Sequence, residues 1–186
     1  MDVIKTFKRG QVLANACEYG PVWCVTKGMF RLDRWTRQGL SLVQLALPGD
    51  LLGVETLCAE PYSYSITAIM PSEVKQQPVN GEVSNFAFVA KAFLQQQKRT
   101  HDMVKLRSGH VSERLAYFLQ LVEKKAGGTE RQLLRSDLPM HKDLAVIVDC
   151  TNETVCRQMN AFLPARTYER PTNKRHAATT LLSLVA

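Results

Sequence analysis

The stretch from His141 to Phe162 reads HKDLAVIVDCTNETVCRQMNAF. Leu144, Ile147 and Val148 stand at i, i+3 and i+4, the apolar face of a short helix. Asp149 and Cys150 interrupt that face, and Thr151 or Asn152 can accept backbone hydrogen bonds as the N-cap of a second helix. Val155, Met159 and Phe162 follow at i, i+4 and i+7, which makes them its inward face. Its other face carries Asn152, Glu153, Cys156, Arg157 and Asn160. Two short helices across a tight turn, the second polar on its outside, is the pattern of a helix-turn-helix.

The outward residues suit DNA. Arginine presents a fork to guanine O6 and N7, asparagine pairs with adenine N6 and N7, and glutamate accepts from cytosine N4. Glu153 and Arg157 are four apart and reach the same groove floor. The same spacing also forms an ordinary surface ion pair, and both readings stay open here. His141 and Lys142 at the start of the first helix, and Asn160 near the end of the second, complete the candidate contact set around Asn152, Glu153 and Arg157.

Outward from this stretch the charge is uneven. Residues 1–84 hold 8 Lys+Arg against 8 Asp+Glu, residues 85–126 hold 8 against 3, and residues 127–186 hold 8 against 6. A neutral front and a basic remainder suit a sensor or assembly unit in front of a nucleic-acid binder, although a solvated basic helix explains the middle segment equally well. The 186 residues allow one large domain or two small ones. No apolar run is long enough for a transmembrane helix, and MDVIKTFKRG lacks a signal core, so the expectation is a cytoplasmic protein without membrane contact. Five cysteines without C-x-x-C spacing make neither a disulfide framework nor a zinc site. All four histidines lie after residue 100, which gives haem no support. No metal, no cofactor and no catalytic constellation is expected: there is no nucleophile–base order and no phosphate-cradling glycine loop.

From Thr6 to about Val79 short apolar runs alternate with Gly10, Gly20, Gly28, Gly39, Gly49 and Gly53, as in a small all-β roll or sandwich. Gln76 to Ser84, with Pro78 and Gly81, reads as a hinge. Residues 85–125 contain no Pro and one Gly, Gly109. Phe86, Phe93, Thr100 and Arg107 recur every seven residues, with Ala90, Gln97, Val104 and Val111 as the paired row. That spacing predicts one long helix of about 60 Å whose seam meets a partner helix. The dimer seam is assigned to Phe86, Phe93, Thr100, Val104 and Val111. Leu115, Phe118, Leu119 and Val122 would start a second core, and Leu133 to Leu138 would form a short strand. Residues 164–180, PARTYERPTNKRHAATT, are basic through Arg166, Arg170, Lys174 and Arg175, and are read as an irregular arm on phosphates with Arg170 and Lys174 in contact.

In combination these runs resemble the family of the cyclic-AMP receptor protein and the fumarate-nitrate reduction regulator, CRP/FNR. The core E-T-V-x-R at Glu153, Thr154, Val155 and Arg157 looks like that family's recognition helix. V-x-K-G-x-x-R-L at 25–32 and LPGDLLG at 47–53 look like its roll, and V-x-E-R-L-A-x-F-L-x-L at 111–121 looks like its junction between dimer helix and DNA-binding domain, which implies a hinge at Gly109-His110. The resemblance runs from Phe7 to about residue 163. It implies an α+β chain: a cyclic-nucleotide-binding-type jelly roll at 1–84, a dimerisation helix at 85–126, and a helix-turn-helix DNA-binding domain at 127–186 with an atypical wing. It also implies a homodimeric transcription regulator on double-stranded palindromic DNA, with RNA polymerase as a further partner.

The chain departs from that pattern in four places. Asp149 stands where the family usually has Gly in the turn, and aspartate tolerates the left-handed backbone better than most residues. Glu55 falls one position later than the family's pocket glutamate. CAEPYSYSI at 58–66 holds no basic side chain to receive a cyclic phosphate, so cyclic AMP is not the expected effector. Glu55, Arg99 and Thr100 are the pocket candidates that remain for an effector of unknown identity. The wing pattern is absent after Leu163. The rival reading is a dimeric adaptor of the same fold that signals through protein contacts.

Overall fold

Alternating burial builds the N-terminal half. In the computed structural model, which describes residues 3–79, 81–125 and 134–163, eight strands form two four-stranded sheets. The strands are β1 (Ile4–Phe7), β2 (Val12–Ala14), β3 (Trp23–Lys27), β4 (Phe30–Thr36), β5 (Gly39–Ala46), β6 (Leu51–Leu52), β7 (Ser65–Ala68) and β8 (Ser72–Gln76). One sheet has the order β1-β8-β3-β6 and the other β2-β7-β4-β5. All pairings are antiparallel. Trp23, Val25, Leu52 and Val74 of the first sheet meet Phe30, Leu32, Ala46 and Ile66 of the second in one core. The first strand therefore begins at Ile4, three residues before the point where the resemblance starts at Phe7.

A bulge on β5 decides what faces outward. Leu32 pairs with Gln44 and Asp33 with Leu42, so Val43 is skipped. Leu42, Leu45 and Leu47 turn away from the roll core and join a second core with the helices. Gly28 makes the β3–β4 turn at φ 79°, and an added Cβ there would collide with Ser72 Oγ and the Pro71 carbonyl oxygen.

The expected single long helix is two helices. α1 runs Glu82–Arg107 and α2 Val111–Lys125, with Ser108, Gly109 and His110 between them. Gly109 sits at φ 82°, outside the helical region, so the periodicity that carries on to Val111 is not a continuous rod. A helix of 26 residues is about 39 Å long, not 60 Å. Val111 is then not a seam residue: it packs, half-buried, on the second core.

α3 (His141–Ile147) and α4 (Asn152–Phe162) complete the described chain. Asp149 takes φ 49°, the left-handed conformation the turn requires. Thr151 is the N-cap of α4, its Oγ1 accepting from the Thr154 N–H at 3.2 Å. Leu115, Phe118, Leu144, Ile147, Val148, Val155 and Met159 form one buried cluster with Met29, Leu42, Leu45, Leu47 and Ile69 of the roll. Phe162, expected inward, is 38% exposed. Leu133–Leu138 is not a strand where described: Arg135–Asp137 form a single 3-10 turn. Arg170, Lys174, the expected arm and the wing lie outside the described residues.

Candidate nucleic-acid interface and effector pocket

α4 presents one face to the core and one to solvent. Val155 and Met159 are buried, while Asn152, Glu153, Arg157 and Asn160 are exposed. Arg157 Nη2 donates to Glu153 Oε1 at 2.8 Å, with both side chains more than 70% exposed. The unbound side chains thus form the surface pair that the spacing allows, and both ends in water make it cheap to open. Asn160 has its Oδ1 engaged by Arg135 Nη2 at 2.6 Å. On α3, Lys142 is exposed and His141 half-buried.

Two arginines that sequence reasoning did not single out hold this unit in shape. Arg135 donates Nε to the Leu163 carbonyl at 2.8 Å, satisfying an orphan carbonyl at the end of α4. Arg114 on α2 donates to the Gly109 carbonyl through Nε at 2.9 Å and Nη2 at 2.8 Å. Its Nη1 reaches the carbonyls of Val148 at 2.8 Å and Asp149 at 3.1 Å. One guanidinium therefore ties the α1–α2 break to the turn that launches α4. Burial, chiefly, raises the Cys150 thiol pKa in that turn, which disfavours the thiolate there.

The pocket candidates separate. Arg99 is 2% exposed and carries a bidentate pair to Asp50, Nε to Oδ2 at 2.6 Å and Nη2 to Oδ1 at 2.8 Å. Its Nη1 reaches Asp102 Oδ2 at 2.6 Å. Burial works against the charge, but the hydrogen bonds and charges of Asp50 and Asp102 outweigh it and raise the Arg99 pKa. Asp102 Oδ1 accepts from the Tyr117 hydroxyl at 2.7 Å. Burial first, then Asp102, pushes the Tyr117 pKa up to about 12. Asp50 Oδ2 also accepts the Leu47 N–H at 2.8 Å. This network joins the β5–β6 turn to α1 and α2, so the Arg99 charge is already matched. Glu55, half-buried in the 3-10 turn Val54–Cys58, accepts the Ser63 N–H at 2.9 Å. Thr100 is exposed and lines a groove of about 410 Å³ with Val43, Gln44, Gln96, Met103, Val104, Arg107 and Ser108. Gln44 is 4% exposed and its Oε1 has no hydrogen-bond partner.

The loop without a basic side chain is filled by Tyr62. Its side chain is 3% exposed and lies so close to Gly53 and Gly20 that a Cβ on the first would strike its ring and a Cβ on the second its hydroxyl. That hydroxyl donates to the Pro21 carbonyl at 2.7 Å. A cyclic phosphate in this loop would meet a phenol and no cation, which is costly for an anion. Titration calorimetry with cyclic AMP is expected to show no binding at micromolar concentration. A micromolar or tighter dissociation constant would overturn this account of the loop.

The described chain is a β-roll joined through two helices to a compact two-helix unit. Residues 4–81 match the cyclic nucleotide-binding domain family. The fold is that of CRP/FNR transcriptional regulators, shared at low sequence identity. A CRP-family regulator from Thermus thermophilus superposes with a TM-score of 0.64 at 20% identity, over 85% of this chain and 83% of that one. FixK2 from Bradyrhizobium japonicum gives 0.63 at 20%, over 87% and 84%. The c-di-GMP-responsive regulator CLP of Xanthomonas campestris gives 0.56 at 12%, over 87% and 86%. No curated protein matches the sequence at a significant level. Among the described residues no helix is long and apolar enough to cross a membrane.

Proposed function

We propose that this chain is a homodimeric, sequence-specific DNA-binding transcription regulator that reads a palindromic site with α4. The observation that carries it is the polar outer face of α4. Asn152, Glu153 and Arg157 stand exposed together on a helix that buries Val155 and Met159 on its other side and whose N-terminus is capped. In this reading residues 1–84 are the sensor, α1 is the dimer helix, and residues 127–186 with α2 form the DNA-binding unit. α1 supports the dimer with an uncovered apolar stripe: Phe86 is 75% exposed, Phe93 61%, Leu94 65% and Val104 57%. Two-fold symmetry sets the half-sites about one helical turn, ~34 Å, apart. RNA polymerase at the same promoter is the natural recipient of the signal.

Selection of duplex fragments with the purified protein tests the reading, with affinity expected to fall steeply as salt rises. Arg157 should contact a guanine and Glu153 a cytosine amino group, while Asn152 favours adenine at the outer position. Arg157→Ala is expected to cost about 1–3 kcal/mol on the selected site and to relax preference at one base pair. If this variant binds its selected site unchanged, α4 is not the reader and the protein-adaptor reading takes its place.

A further inference from the structure

We infer that Arg9 and Asp143 are a positioning pair: an arginine of the roll's first turn grips α3 and sets the angle at which α4 is offered to DNA. The inference rests on α4 being the reader. Arg9, in the turn between β1 and β2, places both Nε (3.0 Å) and Nη2 (2.7 Å) on Asp143 Oδ2. The two residues are 134 apart in sequence, and their side chains are 27% and 14% exposed. A pair so far shielded, with two charge-assisted hydrogen bonds, holds geometry better than an open surface pair.

Its surroundings make it an orienting contact. Beside it, Arg31, Leu42 and Ile69 of the roll face Asp143, Val146 and Ile147 of α3 across a seam with no water-sized space. The charged neighbour Arg31 is itself paired with Asp33, at 2.6 Å through each of two nitrogens, so the Asp143 carboxylate answers to Arg9. Among the described residues the unit of α2, α3 and α4, the head, departs from α1 through the non-helical Ser108, Gly109 and His110, the pivot in this proposal. Arg114 braces the head from beside that pivot, whereas Arg9 holds it from the roll. α3 and α4 share a core through Leu144, Val148, Val155 and Met159, so α4 follows wherever α3 is held. In a two-fold dimer the tilt of each head fixes the separation of the two reading helices, and hence the half-site spacing.

The test is a double-mutant cycle of Arg9→Ala, Asp143→Ala and the double variant, on the selected duplex and on duplexes with one base pair added or removed between half-sites. Each single variant is expected to lose about 3- to 10-fold on the selected spacing. Each should also discriminate less against the altered spacings, and the double variant should be no worse than either single. A structural role alone would lower melting temperature without changing spacing preference, and that result would overturn the inference. If Arg9→Ala weakens every spacing alike, lowers the salt slope and adds fully to Asp143→Ala, Arg9 is a phosphate contact and the inference fails. Amide exchange in the free protein gives a second reading that needs no DNA. Exchange over 141–147 should quicken in both single variants, and unchanged exchange would also overturn the pair. A wild type that selects no duplex refutes α4 as reader, and the exchange result then decides the contact on its own.

Discussion

Asp50→Ala is expected to destabilise the fold by about 3–5 kcal/mol, because it leaves the Arg99 guanidinium buried with half its counter-charge gone. It also removes the acceptor of the Leu47 N–H, a buried backbone donor. The roll, α1 and α2 meet at this network, so the loss should appear as a lower denaturation midpoint of the whole protein. The triple variant Asp50→Leu/Arg99→Met/Asp102→Asn removes the charge and both counter-charges together and should be better tolerated than the single one. Urea unfolding followed by circular dichroism measures both. A loss below about 1 kcal/mol for Asp50→Ala would show that the carboxylate holds little of the structure together.

The second large effect is on assembly. Val104 is 57% exposed on the same stripe as Phe86 and Phe93, so Val104→Asp places a charge where a partner helix would remove water. Sedimentation of the variant is expected to show monomers where the wild type sediments as a dimer. Two linked half-site contacts would become independent, and apparent affinity for the full site should fall by about 10²- to 10⁴-fold. Circular dichroism should change little, since an exposed position carries little of the monomer's stability. A wild type that is monomeric at micromolar concentration would remove the dimer from the proposal.

The inward face of α4 is legible in the sequence because helical period and burial coincide at Val155 and Met159. The N-cap of α4 is legible as Thr151 or Asn152, of which Thr151 takes the role, and the left-handed Asp149 is legible because it stands where the family has glycine in the turn. The break between α1 and α2 is hidden from the periodicity, because Val111 keeps the seven-residue rhythm across Gly109 at φ 82°, but the family resemblance places a hinge at Gly109-His110, where the break falls. Periodicity records spacing along the chain and cannot see a break that preserves it. Arg99 looks available for a ligand in the sequence because its main partner, Asp50, is 49 residues away. Arg9 and Asp143 are invisible for the same reason. Tyr62 is legible only as a missing cation: nothing in CAEPYSYSI announces that its ring lies against Gly20 and Gly53.

One side chain of α1 has a role quite apart from dimers and DNA. β6, only Leu51 and Leu52, is the outermost strand of its sheet. Gln95 lies beside it, its Oε1 accepting the Leu51 N–H at 2.6 Å and its Nε2 donating to the Leu51 carbonyl at 2.9 Å. The side-chain amide thus stands in for the backbone of a missing ninth strand, closing an edge that would otherwise template association with another chain. Protection against misassembly therefore depends on α1 staying docked. Any state in which this helix lifts away uncovers Val22, Leu51 and Val54 beneath Phe88 and Ala92 together with an open sheet edge, a combination prone to aggregation.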